Sequence, residues 1–107
     1  MTSGDDLSHA AVVRLNPRQI TVIREETARL DPAARVFLFG SRTDDRARGG
    51  DIDLLVRSER IGFAEKLLLK VRILERIGWQ QLDLVVHPAS QPAPAWIEAI
   101  ASEACEL

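Results

Sequence analysis

The sequence predicts a small α/β (α+β) domain in which a three-stranded mixed sheet packs with helices. Three observations lead there. The chain has 107 residues, enough for one core with two layers and a single domain over 1–107. Its apolar periodicity runs helix, strand, strand, helix, strand, helix. Finally, strand 51–57, helix 63–77 and strand 81–87 form a β-α-β unit, a right-handed crossover with parallel strands.

Each element has its own local cause. Residues 1–15 show no clear period and are expected to form a loose N-terminal arm. Asn16-Pro17 is a helix start, with Asn as N-cap and Pro in the first turn. Ile20, Ile23, Thr27 and Leu30 recur at helical spacing, so a helix over 17–30 follows. Asp31-Pro32 ends it. RVFLF (35–39) reads as a short buried strand, and 40–50 as a loop. DIDLLVR (51–57) is the second strand. Phe63, Leu67, Val71, Leu74 and Ile77 mark the second helix, with Gly78 placed to close it. QLDLVVH (81–87) is the third strand, closed by Pro88. After the loop PASQPAP (88–94), a last helix is expected with Trp96, Ile97, Ile100, Ala101 and Ala104 inward.

Composition narrows the function. The hydrophobic fraction is 46% and the charged fraction 28%, a globular balance. A net charge of −2 does not suit a broad basic face for nucleic acid. No apolar run approaches the ~20 residues of a membrane span. The opening MTSGDDLSHA is polar and acidic, unlike a signal peptide. One cysteine, Cys105, precludes an internal disulfide and fits a reducing cytoplasm. With so few soft ligands, any metal here is a hard ion held by oxygen.

The chemistry concentrates in FGSRTDDRARGGDIDLLV (39–56). Side chains alternate along a strand, so Asp51 and Asp53 share a face, about 6.5–7 Å apart. Ile52, Leu54 and Val56 take the other face. Asp83 lies in the third strand between Leu82 and Leu84. A parallel register that sets Asp83 beside Asp53 gathers three carboxylates on one patch. Their mutual repulsion is relieved by one or two Mg2+ ions, which accept a few carboxylates together with substrate phosphates. Gly40 lets backbone approach a ligand, and Ser41 offers a hydroxyl and an N–H to a phosphate oxygen. Arg42, Arg46 and Arg48 follow in the same loop, and Gly49-Gly50 allows a sharp turn into the strand. Metals, phosphates and aspartates together spell phosphoryl or nucleotidyl transfer.

Gly-Ser, nine residues, Asp-x-Asp in a strand and a later strand Asp resemble the DNA polymerase β-like nucleotidyltransferase superfamily. FGSR…GGDIDLLV with LDLVV resembles its minimal nucleotidyltransferases, small catalytic domains often acting as antitoxins beside helical HEPN-domain toxins. The resemblance covers residues 17–104, with a short Ser41-to-Asp51 spacer that shortens the phosphate loop. It implies the polymerase β-like fold, two Mg2+ ions and ATP as substrate. Gly40 and Ser41 would hold the triphosphate, with Arg42 beside them. Asp51 and Asp53 would bind metal. Asp83 would bind one metal and help deprotonate the acceptor hydroxyl. The implied activity is AMPylation of a hydroxyl on a partner protein, a HEPN toxin; a stable complex with such a toxin or with a second copy of the chain is expected.

Simpler readings stand beside these. The aspartates could line a solvated strand face, Asp83 could cap a turn, and Gly40-Ser41 could be an ordinary turn. Arg42 could point to solvent, and Arg46 and Arg48 read as loop charges. His87 reads as a surface or edge residue, Cys105 as a packing residue, and Trp79 and Trp96 as core or interface. Two other functions remain open: a binding antitoxin that inhibits its toxin sterically, and a nucleotidyltransferase acting on small molecules. For catalysis, the aspartate face is expected to lie exposed and to borrow a wall from a partner.

Overall fold

The computed structural model describes residues 15–39 and 52–107. Three helices and a four-stranded mixed sheet follow the expected order: α1 (Pro17–Leu30), β1 (Arg35–Phe39), β2 (Ile52–Arg57), α2 (Phe63–Ile77), β3 (Leu82–His87), α3 (Ala95–Glu103) and β4 (Cys105–Glu106). Strand order is β3-β2-β1-β4. β2 and β3 pair in parallel, whereas β1 runs antiparallel to β2 and to β4.

The helix ends follow the local signals. Asn16 Oδ1 accepts from the Gln19 N–H at 2.7 Å, and the Asn16 N–H donates to Gln19 Oε1 at 3.0 Å. This reciprocal capping box satisfies two of the orphan donors that every helix start leaves. At the other end of the α1–β1 turn, Asp31 accepts from the Ala33 N–H at 2.9 Å and from the Ser58 hydroxyl at 2.6 Å. Ser58 Oγ in turn accepts from the N–H groups of Arg60 and Ile61, both at 3.0 Å. The bond from Ser58 holds the Asp31 carboxyl below its ordinary pKa. α2 begins where the Gly62 N–H donates to Glu65 Oε1 at 3.0 Å. It closes at Gly78, whose φ of +101° lies in a region glycine enters without a side-chain penalty.

One core lies between the sheet and the pair α1 and α2. Val22 and Ile23 of α1, Leu69, Ile73 and Leu74 of α2, and Val36, Leu38, Ile52, Leu54, Val56, Leu82 and Leu84 of the sheet are all buried there. Burying each large aliphatic side chain contributes about 1.5–3 kcal/mol. Leu15 belongs to this core at 5% exposure, so the last residue of the expected loose arm is part of the packed domain. Residues 1–14, the rest of that arm, lie outside the described residues. Across the core, Glu26 of α1 is buried at 4% exposure, and its Oε2 accepts from Arg76 Nη1 of α2 at 2.9 Å. Arg76 also reaches Glu25 at 3.0 Å, and its carbonyl accepts from Arg18.

Three expectations need correction. The sheet has a fourth strand: β4 adds to the free edge of β1, where Arg35 Nε and Nη2 grip the Glu106 carboxylate at 2.9 and 2.7 Å. Trp96 does not point inward but is 57% exposed, while Ile97 beside it is buried at 2%. The apolar stripe that marks α2 also divides. Leu74 is buried and Ile77 half-buried, but Phe63, Leu67 and Val71 are exposed. The sheet lies nearer the face carrying Leu69, Ile73 and Leu74.

Candidate active site

Strand alternation divides the sheet residues between two faces. Val36, Leu38, Ile52, Leu54, Val56, Leu82 and Leu84 face α1 and α2. Phe39, Asp53 and Asp83 take the opposite face. They form one row across three strands: Phe39 is the register partner of Asp53, and Asp53 that of Asp83. The two aspartates therefore stand side by side on parallel neighbours about 4.8 Å apart. Asp53 is half-buried and Asp83 exposed. Gln81 Nε2 donates to Asp83 Oδ1 at 3.3 Å. The parallel register is continuous from Ile52↔Leu82 to Arg57↔His87, and the Ile52 N–H donates to the Gln81 carbonyl at 3.0 Å. The aspartate pair thus sits at the N-terminal ends of β2 and β3, held by a full ladder rather than by a loop.

The structure brings together two of the predicted site residues, Asp53 and Asp83. Asp51, Gly40, Ser41 and Arg42 lie outside the described residues, as do Arg46, Arg48, Gly49 and Gly50. Phe39, the residue before Gly40, is the partner of Asp53, and Ile52, the residue after Asp51, is the partner of Leu82. Among the described residues no group of three metal-ligating side chains occurs. The donor set present, two adjacent carboxylates with oxygen atoms only, fits a hard divalent cation and no soft one.

The aspartate face is not bare. Leu55, in the same face as Asp53, is fully buried, and so is Ile97 of α3, yet neither belongs to the core under α1 and α2. α3 packs against β1 on this side. That contact, with Leu55 buried on the same face, corrects the expectation of a wholly exposed sheet surface. At the far end, Arg57 Nη2 donates to the carbonyls of Pro88, Ala89 and Gln91 at 3.3–3.4 Å. That contact anchors the loop leading from β3 into α3. Sequence reasoning missed this anchor, because an Arg in a strand carries no signal of which carbonyls it will meet. Trp79 is 71% exposed and so, like Trp96, is not a core residue. His87 is half-buried at the strand end, and Cys105 packs against the core from β4, where burial pushes its thiol pKa up.

Among the described residues no helix is long and apolar enough to cross a membrane. No curated protein matches the chain. A family model for the nucleotidyltransferase domain matches residues 20–91, from the body of α1 through the loop after β3. That span contains the Gly-Ser pair, the Asp-x-Asp strand and the aspartate of β3. The mixed sheet and the β-α-β unit agree with that match, and the chain belongs to the nucleotidyltransferase domain family.

Proposed function

We propose that the protein transfers AMP from ATP to a hydroxyl group of a partner protein, using Asp51, Asp53 and Asp83. The observation that carries this reading is the direct parallel register of Asp53 and Asp83. In a family whose chemistry is nucleotidyl transfer, it sets a second-strand carboxylate beside the Asp-x-Asp strand. Asp53 and Asp83, with Asp51, would hold Mg2+. Bound there, the metal supplies charge neutralisation on the phosphate oxygens. Asp83, exposed on the outer strand, accepts the proton of the acceptor hydroxyl. The hydroxyl oxygen forms a bond to the α-phosphorus, the bond to the bridging oxygen breaks, and pyrophosphate leaves. Gly40, Ser41 and Arg42 would bind the triphosphate. With α3 packed against β1 and Asp83 exposed on the edge strand, the acceptor enters over the Phe39–Asp53–Asp83 row.

The resemblance to minimal nucleotidyltransferases supports a helical HEPN-type toxin as acceptor and an antitoxin role in the cytoplasm. The experiment incubates the protein with a co-encoded helical partner and Mg·ATP, then reads the partner by intact-mass spectrometry. AMP increments that vanish with Asp53→Ala support the reading. A partner inhibited but never modified would replace it with steric neutralisation. Modification of a small molecule alone would replace it with a small-molecule transferase.

A further inference from the structure

Gln81 stands just ahead of β3 and is tied to both strands of the aspartate pair. Its carbonyl accepts the Ile52 N–H at 3.0 Å, which fixes its backbone against the residue between Asp51 and Asp53. Its side chain turns to the other strand's carboxylate, where Nε2 donates to Asp83 Oδ1 at 3.3 Å. Period two along an extended chain sets residues 81 and 83 on one face, so the amide lies along the strand toward the carboxylate. Only the NH2 end of an amide can face a carboxylate, because two acceptor oxygens repel, and this decides which way the Gln81 amide is turned. Among the described residues Gln81 is the one donor to Asp83. Both side chains are exposed. An exposed aspartate with no such contact exchanges rotamers within picoseconds to nanoseconds.

We propose that Gln81 is a positioning residue, whose amide holds the Asp83 carboxylate in the orientation that takes a divalent cation together with Asp53. The inference rests on the transfer reading above and adds a residue outside the three aspartates. Asp53 and Asp83 are direct register partners, so a cation shared between them lies over the row they form. Asp83 is on the outer strand, where an untethered side chain also swings to solvent, away from Asp53. The bond from Gln81 engages Oδ1, limits that swing and leaves Oδ2 open to a cation or to the proton of an acceptor. The donor is neutral. A Lys or Arg at this position would pin the carboxylate as well but would repel the cation, whereas an amide orients the ligand without cancelling its charge. Hydrogen-bonding partners of metal-binding side chains typically contribute about 10–100-fold in metal affinity or activity. An exposed contact at 3.3 Å belongs at the low end of that range.

The test is Gln81→Met, which keeps the length of the side chain and removes the donor. The bond to Ile52 uses the Gln81 carbonyl and so survives the substitution. Mn2+ is titrated into the full chain without nucleotide, and the electron paramagnetic resonance of the free ion gives an affinity that does not depend on turnover. The expected result is a site about 10-fold weaker, with a melting temperature within about 2 °C of the wild type. In an Asp83→Asn background the same substitution changes Mn2+ affinity by less than about 2-fold, because the carboxylate it positions is gone. In the AMP-transfer assay kcat falls about 10-fold, while KM for ATP stays within about 2-fold. Wild-type Mn2+ affinity in Gln81→Met overturns the proposal. So does a loss of equal size in the Asp83→Asn background, or a wild-type chain that takes up no Mn2+. A wild-type chain whose Mn2+ site depends on Gln81 but which transfers no AMP supports the proposal and overturns the transfer reading instead.

Discussion

Asp83→Asn separates stability from chemistry at the candidate site. The side chain is exposed on the outer strand, and its contact from Gln81 Nε2 at 3.3 Å needs only an acceptor, which the amide oxygen still supplies. The substitution therefore costs the fold little. It also removes a negative charge directly opposite Asp53. At about 5 Å, two unit charges repel by ~0.8 kcal/mol in water and ~3 kcal/mol at an effective dielectric of 20. Exposure of Asp83 puts the pair near the water limit. The metal-free variant should thus be as stable as the wild type or more stable by up to about 1 kcal/mol, a rise of about 4 °C in melting temperature. Activity should move the other way. Loss of a positioned proton acceptor lowers turnover by about 10²–10⁴-fold. Mg2+ with a non-hydrolysable ATP analogue should stabilise the wild type more than either alone, and the variant less. The assays are AMP incorporation and thermal unfolding with and without Mg2+. Wild-type turnover by Asp83→Asn would refute the assignment. A metal-free variant less stable by more than ~1 kcal/mol would show that Asp83 serves the fold rather than the site.

Two stability predictions follow from the buried carboxylates. Arg76→Ala leaves Glu26 buried with only Arg29 nearby, at 3.8 Å, among the described residues. A fully buried broken pair costs ~3–5 kcal/mol; because Arg76 is itself 34% exposed, urea denaturation should show a loss of about 2 kcal/mol, largely recovered by Glu26→Leu with Arg76→Leu. The Asp31 carboxyl titrates below its unfolded value because Ser58 donates to it, so its contribution is present above that value and is lost as pH falls through the lowered one. Stability of the wild type should fall with acid below about pH 4, and Asp31→Asn should flatten that slope, checked by denaturation at stepwise lower pH. An unchanged slope would place the titrating group elsewhere.

Much of this molecule was legible locally. Asn16-Pro17 starts α1 because a side-chain acceptor and a fixed φ satisfy a helix end without any help from the rest of the chain. Gly78 closes α2 because its backbone conformation excludes most other residues. Alternation in 52–57 already separates Asp53 from Leu54 and Val56, since period two is a property of the extended backbone. The Asp-x-Asp expectation rests on the same period two, although Asp51, Gly40 and Ser41 lie outside the described residues.

What required the tertiary structure is each relation between distant segments. Asp83 could have faced Asp53 or missed it by one residue; only the β2–β3 ladder, formed across the α2 crossover, sets them side by side. Cys105 and Glu106 have no strand signal of their own and become β4 because β1 offers a free edge and Arg35 a partner for Glu106. Phe63, Leu67 and Val71 have the spacing of a core stripe, but a helix can carry apolar residues around most of its circumference. Which arc meets the sheet is decided by the fit of Leu69, Ile73 and Leu74 into the core. The burial of Glu26 depends on Arg76, 50 residues later in the chain. Local physics shaped the elements and marked the candidate residues; register, edge pairing and choice of buried face arose only when those elements competed for the same core.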